Sequence, residues 1–298
     1  GGAIYFHAVY STIDSCEFTN NQAGSGNGSE IYFLCKESEG GISTNPFLIQ
    51  NSKFEVNEAD TSSNMIYLDW IKSSDFEFKK NEVRITSTNN NYLFSSKGDL
   101  NTGRMTIESN CISDKSRLCE SNNIALHDKI TPGFPTICGS ILPPTEGPIN
   151  PTETPNNPTE APINPTEGPI NPTNKPVGPS VCPSKPSGPV DDLSSNPTSY
   201  TDKSVIYGCN LEISSKIISD QHIVHLYQCT FNGLQDESSE GGGAIYIMTT
   251  SKGPTNKTCI IEDCTFSNCQ STKGGALSIV TAQPTRFFSI LRSKFNNN

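Results

Sequence analysis

The sequence predicts an all-β protein, a parallel β-helix (solenoid) interrupted by a disordered proline-rich segment. Three observations predict it. Two short motifs alternate along both halves of the chain, Gly-Gly-Ala-Ile/Leu and Phe-x-x-Asn. Short runs rich in β-branched and aromatic residues recur without helical periodicity. Between the halves, 15 of the 47 residues from Pro143 to Pro189 are proline.

The repeat decides the fold class, because self-similarity at a period of ~20–50 residues marks a stacked architecture. Gly-Gly-Ala followed by Ile or Leu occurs at Gly1 and Gly2, at Gly242 and Gly243, and at Gly274 and Gly275. Phe-x-x-Asn occurs as Phe18/Asn21, Phe54/Asn57, Phe78/Asn81 and Phe295/Asn298, with a near miss at Phe266. A longer unit ends on each Phe: compare IDSCEF (13–18), IQNSKF (49–54), LYQCTF (226–231), IEDCTF (261–266) and ILRSKF (290–295). Successive Phe positions lie 36, 24, 35 and 29 residues apart within the two halves.

In a strand, residues two apart share a face. Cys264 and Phe266 therefore point the same way, taken as inward. Ile261 breaks that parity, and a corner at Glu262-Asp263 restores it. Runs such as AIYF, EIYFL, MIYLDW and AIYIM suit strands. The double glycine fits a second corner, where positive φ costs only glycine little, and Asn tolerates the left-handed region as well. Each repeat then reads strand, corner, strand, corner, strand, with like residues stacked ~4.8 Å apart. On this reading Phe18, Phe54, Phe78, Phe231, Phe266 and Phe295 all face the interior.

The ordered alternation of these motifs resembles the polymorphic membrane protein repeats, a family of surface-exposed right-handed β-helix adhesins and autotransporter passengers of some bacteria, with similar repeats on protist surfaces. The matching residues are Gly1, Gly2, Phe18 and Asn21, then Gly242, Gly243, Gly274 and Gly275 with Phe266, Phe295 and Asn298, and the resemblance covers about two thirds of the chain. It implies right-handedness and adhesion, and it brings no catalytic residues. Around Glu30-Ile31-Tyr32, Met65-Ile66-Tyr67 and Asn91-Tyr92-Leu93 the double glycine is lost.

Three segments follow: N-terminal coils over 1–142, a proline-rich linker or stalk over 143–189, and C-terminal coils over 190–298. Five heptads, PTEGPIN to PTNKPVG, run in register from Pro144 to Gly178. Proline forbids a helix interior, so the segment is expected to sample extended polyproline II. Thr145, Thr152, Thr159, Thr166 and Thr173 each follow a proline, which fits an O-glycosylated stalk as well as a bare spacer.

Lys plus Arg number 21 and Asp plus Glu 31, a net charge of −10. An acidic chain repels phosphates, so no nucleic acid is expected as a partner. No apolar stretch approaches the ~20 residues of a membrane span. Eleven cysteines and two sequons, at Asn27 and Asn256, favour an extracellular or cell-surface location. The absence of an initiator Met and a signal peptide makes the chain read as a piece of a longer protein. Cys111 and Cys119 bracket a polar loop and are disulfide candidates. Cys138 and Cys182 flank the proline segment and are placed to staple it. Cys16, Cys229 and Cys264 stand two before a Phe, either as a disulfide-forming set or as a column of buried thiols.

Catalytic chemistry finds little support. Parallel β-helices also carry polysaccharide lyases and glycosidases, which need paired carboxylates or an acid cluster holding calcium. Asp14, Glu17, Asp75, Glu77, Glu262 and Asp263 are the candidates, with Glu17 and Glu77 at near-equivalent outward positions and Lys53 between. No Cys-x-x-Cys pair suggests zinc, and neither cofactor nor metal is expected. The function expected is therefore non-enzymatic: an adhesin-like module that attaches to glycans or proteins of host or neighbouring cells. The alternative is a carbohydrate-active β-helix enzyme. Binding is assigned to polar excursions between motifs, at Gln22–Ser29, Lys36–Asn45, Gln235–Glu240 and Thr249–Lys257.

Overall fold

A computed structural model describes residues 2–7, 10–24, 26–35, 47–57, 64–70, 76–87, 91–97, 105–120, 124–138, 182–195, 205–220, 223–249, 258–281 and 287–298. Gly1, Asn256, Asp75 and the excursions over 36–45 and 250–257 lie outside these residues. The chain is mostly strand, with one short α-helix, Ile124–Ile130. All ladders among the described residues are parallel, and they build three long sheets.

The first sheet runs Tyr92–Lys97, Asn64–Trp70, Ile31–Cys35, Ile4–His7, Leu277–Thr281, Ile245–Thr249 and Ile217–Asp220. The second runs Met105–Glu108, Phe76–Lys79, Phe47–Gln50, Tyr10–Asp14, Phe287–Leu291, Thr258–Glu262, Ile223–Tyr227, Val205–Cys209 and Val190–Asp192. The third runs Thr136–Ile137, Cys111–Ile112, Glu82–Ile85, Lys53–Val56, Glu17–Thr19, Lys294–Asn296, Thr265–Ser267, Thr230–Asn232 and Glu212–Ile213. Along most of the chain the strands visit first, second and third sheet in turn and then return one ladder position further on. Strands from the two halves of the chain are neighbours: Ile4–His7 pairs with Leu277–Thr281, and Glu17–Thr19 with Lys294–Asn296. The two halves thus form one continuous stack, which the sequence leaves open.

The corner at Asp263 is where the parity argument places it. Asp263 has φ 54°, and Ile261, Cys264 and Phe266 on either side are all buried. A non-glycine residue at positive φ recurs at that corner in Ser15, Asn51, Lys80, Ser109, Asn210, Gln228 and Arg292. The residue that follows turns inward and links successive levels. The Asn81 amide N–H donates to Asn110 Oδ1, Ser52 to Asn81 Oδ1, Cys16 to Ser52 Oγ, and Cys264 to Ser293 Oγ, at 2.8–3.1 Å. The corner after the third sheet uses Asn20, Asn268 and Asn297 at positive φ. There Cys269 N–H donates to Asn298 Oδ1 and Asn298 N–H to Asn21 Oδ1, at 3.0 and 2.9 Å.

The double glycine answers a steric demand. Gly274 has φ 61°, and a Cβ there would lie 1.9 Å from the Leu277 carbonyl oxygen. A Cβ on Gly275 would lie 2.6 Å from the Cys269 oxygen and 2.7 Å from that of Gly2. The backbones of adjacent levels pass too closely here for any side chain.

Phe231, Phe266, Phe295, Phe18 and Phe54 form one ring column with centroids 4.8–4.9 Å apart, the strand spacing itself. Phe78 does not continue it. It is buried, but it belongs to the second sheet in register with Ile49, and Val83 takes the next place after Phe54. The four Phe-x-x-Asn matches are therefore three different positions. Asn21 and Asn298 serve the corner after the third sheet, Asn81 the corner before it, and Asn57 is exposed.

Two disulfides hold the two ends. Cys111 is bonded to Cys138, not to Cys119, which is buried outside both disulfides, so the spacing-based pairing is corrected. Cys119 sits opposite Phe94 at the edge of the first sheet, whereas Cys138 follows the strand that stacks on Cys111. Cys182 is bonded to Cys209. The last eight residues of the expected linker, 182–189, are held there, with Tyr207 Oη donating to the Pro183 carbonyl at 2.7 Å.

Asn81→Ala removes the acceptor for the Ser52 amide and is expected to cost ~1–3 kcal/mol, while the same change at exposed Asn57 stays within ~0.5 kcal/mol. Urea midpoints check both, and equal effects would contradict the assigned positions. Phe54→Ala, at the ring column, is expected to cost ~3–5 kcal/mol.

Candidate functional surface

The outward side chains divide into three surfaces. The first follows the corner between second and third sheets and carries most of the carboxylates singled out above. None stands as a free acid pair. Arg292 clasps Glu262 and Asp263, which hold its guanidinium pKa up. Glu17 meets Lys294 at 3.0 Å. Asp14 accepts from Gln50 Nε2 and Asn51 Nδ2 at 2.9 Å each. Glu77 pairs with Lys79 at 2.9 Å and lies in the second sheet, so it is not equivalent to Glu17; Glu82 is, across Lys53. Glu262, Asp263, Glu17 and Glu77 are thus held in ion pairs, and Asp14 in hydrogen bonds from two amides.

The second surface is the outer face of the first sheet. Tyr5, Tyr32 and Tyr67 occupy one register position, and their rings stack at 5.4 and 5.0 Å. Tyr32 Oη donates to Asp69 Oδ2 at 3.2 Å; burial and that carboxylate push its phenol up. The result is an aromatic stripe along the stack, half-buried at Tyr5 and Tyr32 and buried at Tyr67.

The third lies at the corner between third and first sheets. Here the expected excursions become ordered layers. Gln235–Asp236 pairs in register with Gln270–Ser271, and Lys216 Nζ anchors the segment through Asp236 at 2.6 Å and the Gly241 carbonyl at 2.9 Å. Gln22, Ala23, Gly24 and Gly26 form the far wall. Between them opens a cleft of about 670 Å³, lined among others by Gln22, Asn268, Gln270, Thr272, Asn297 and Asn298. Among the described residues its lining side chains are uncharged, mostly amides and hydroxyls. Gln22 and Gln270 are exposed on opposite walls. Exposed Asn27, the sequon residue, stands just beyond, with Oδ1 accepting from Asn64 Nδ2 at 3.3 Å.

The structural residues fall behind these surfaces. Phe18, Phe54, Phe266, Phe295, Asn21 and Asn298 are buried, as are Gly2, Gly242, Gly243, Gly274 and Gly275. Cys16, Cys119, Cys229, Cys259, Cys264 and Cys269 are buried and lie outside both disulfides. Burial pushes Cys16 up to about 12 and Cys119 to about 11, and Cys264 well above the ordinary thiol. His225 is lowered by burial and donates from Nε2 to the Thr258 carbonyl. Among the described residues no group of His, Cys, Asp and Glu is placed to hold a metal ion, and no helix is long and apolar enough to cross a membrane. The cleft was invisible in the sequence, because its walls are more than 240 residues apart in the chain.

No protein-family model, no curated protein and no solved structure matches the chain.

Alkylation at pH 8 is expected to leave Cys16 and Cys119 unmodified until the chain is denatured, as peptide mass mapping would show; rapid native labelling would mean they are open to water. Burial opposes the Asp236 charge, but Lys216 and Ser238 outweigh it and hold its carboxyl below the usual range. Its contribution is therefore present above the unfolded carboxyl value of ~3.9 and lost as pH falls through the lower folded value. Asp236→Asn is expected to remove that acid-side loss from the stability–pH curve.

Proposed function

We propose that the chain is a right-handed parallel β-helix of the polymorphic membrane protein repeat type, displayed at a cell surface or secreted. Its proposed role is attachment to glycans or proteins of host or neighbouring cells. The strand order supports the β-helix reading, since three parallel sheets are visited in rotation. The placement of Gly242-Gly243 and Gly274-Gly275 at the same point of adjacent levels supports the family reading. Two disulfides fit an oxidising compartment.

The observation that carries the binding reading is the neutral cleft beside Asn298. Amides and hydroxyls on a rigid frame match the donors and acceptors of sugar hydroxyl groups. The tyrosine stripe adds an apolar face on which a pyranose ring can lie. Pairing of Glu262 and Asp263 with Arg292, and of Glu17 with Lys294, favours the binding reading over the enzymatic alternative.

A glycan array combined with a panel of polysaccharide substrates tests the proposal. Saturable binding without product release is the expected result, and release of any cleaved saccharide would overturn it. Gln22→Ala with Gln270→Ala is expected to weaken binding about tenfold, which corresponds to ~1.4 kcal/mol, with the strand spectrum unchanged. Undiminished binding by that double variant would move the site elsewhere.

A further inference from the structure

Two of the six cysteines that lie outside the disulfides meet each other. Cys229 and Cys264 each follow a residue at positive φ, Gln228 at 53° and Asp263 at 54°, and both are fully buried. They stand on consecutive levels: Tyr227 is the register partner of Glu262 just before them, and Thr230 of Thr265 just after. The Thr265 amide donates to the Cys229 carbonyl at 2.9 Å, which holds the two backbones at ladder distance. One strand spacing, about 4.8 Å, falls inside the range of about 4.4–6.8 Å that separates the Cα atoms of bridged cysteines. Both side chains turn inward, and the two thiols are hydrogen-bonded to each other.

The rest of the column sets this pair apart. Other levels place Ser293, Ser52, Asn81 and Asn110 at the same corner position. Cys16 belongs to the column too, but it has Ser293 on one side and Ser52 on the other. From Cys264 it is two spacings away, about 9.6 Å, which is beyond the reach of a disulfide. The two paired thiols also differ from each other. Cys229 accepts from Cys264 and from the Leu211 amide, and these bonds outweigh burial and hold it below the ordinary thiol value. Burial, and then the same bond, push Cys264 well above that value. Cys229 is thus the readier thiolate and Cys264 the readier proton donor.

We propose that Cys229 and Cys264 form a third disulfide when the chain folds in the presence of a disulfide oxidant of the glutathione disulfide class. The Cys229 thiolate attacks one sulfur of the oxidant, forms a mixed disulfide and expels a thiolate. Cys264 gives up its proton, attacks the Cys229 sulfur and expels the second thiolate. The two cysteines lose two electrons and two protons, and one oxidant disulfide becomes two thiols. Burial confines the first step to the interval in which the two levels are in register and their neighbours have not yet closed over them. Register, not sequence, makes the partners near, since they are 35 residues apart in the chain.

The full chain, reduced in denaturant, is refolded in a buffer of glutathione and glutathione disulfide, alkylated, and digested without reduction. Peptide mass mapping is expected to find Cys229 linked to Cys264 about tenfold above any peptide linking either of them to Cys16, because register sets the effective concentration. Cys229 and Cys264 both alkylated, in a chain that has closed the Cys111–Cys138 and Cys182–Cys209 bridges, would overturn the proposal. Equal yields of the three pairings would overturn it as well. A second variant separates register from mere crowding of sulfurs. Cys264→Ser keeps an acceptor for the Cys229 amide and is expected to leave Cys229 as an alkylated thiol. A Cys16–Cys229 bridge in that variant, at the yield that Cys264 gives in the full chain, would mean that the column pairs its thiols without regard to level, against the proposal.

Discussion

Everything in this molecule hangs on the close approach of backbones at its corners. A parallel stack keeps like positions ~4.8 Å apart, and each corner has to repeat at that spacing or the ladder fails. The chain meets the demand by a fixed local sequence: one residue in the left-handed region, then one side chain that turns inward. That side chain accepts the amide of the next level, as Asn81 does for Ser52 and Asn298 for Cys269. The buried backbone groups at the bends are thereby satisfied without water. Where the approach is closest, at Gly274 and Gly275, side chains are excluded altogether.

Much of this was legible because the constraint is local. The corner at Asp263 and the inward set Ile261, Cys264 and Phe266 follow from strand parity alone. The motif Phe-x-x-Asn misled where spacing was treated as position. Phe78-x-x-Asn81 bridges second to third sheet, whereas Phe18-x-x-Asn21 bridges third to first. A tetrapeptide records one turn of the backbone but not which turn it is. Pairing Cys111 with Cys119 failed for a related reason: nearness in sequence lost to nearness along the stack axis, where Cys138 arrives one level above. The cleft and the pairing between the two halves lie further still from local signals, since they join residues far apart in the chain.

The outer surfaces inherit their character from the same geometry. Register forces outward residues into columns, so chemistry on the surface comes as stripes. The tyrosine column and the alternating Lys294, Glu17, Lys53 and Glu82 column are two examples. Charges in such a column neutralise their neighbours at each level. A pair of free carboxylates is hard to keep there, whereas an uncharged groove between two corner segments costs the stack nothing in electrostatics.

The buried thiols have a consequence for biogenesis. The column at the corner before the third sheet holds Cys16, Cys229 and Cys264, and two disulfides stand at the two ends of the stack. In an oxidising compartment, an unfolded chain with eleven cysteines can mispair in many ways. Once the levels have stacked, the six buried thiols are shielded from oxidant, and among the described cysteines the end pairs, each separated by 27 residues, are the less buried ones. Correct pairing then requires the interior to assemble before oxidation is complete. The fold acts as a protecting group for its own sulfur, and an oxidant added early in refolding would trap what a late one leaves intact.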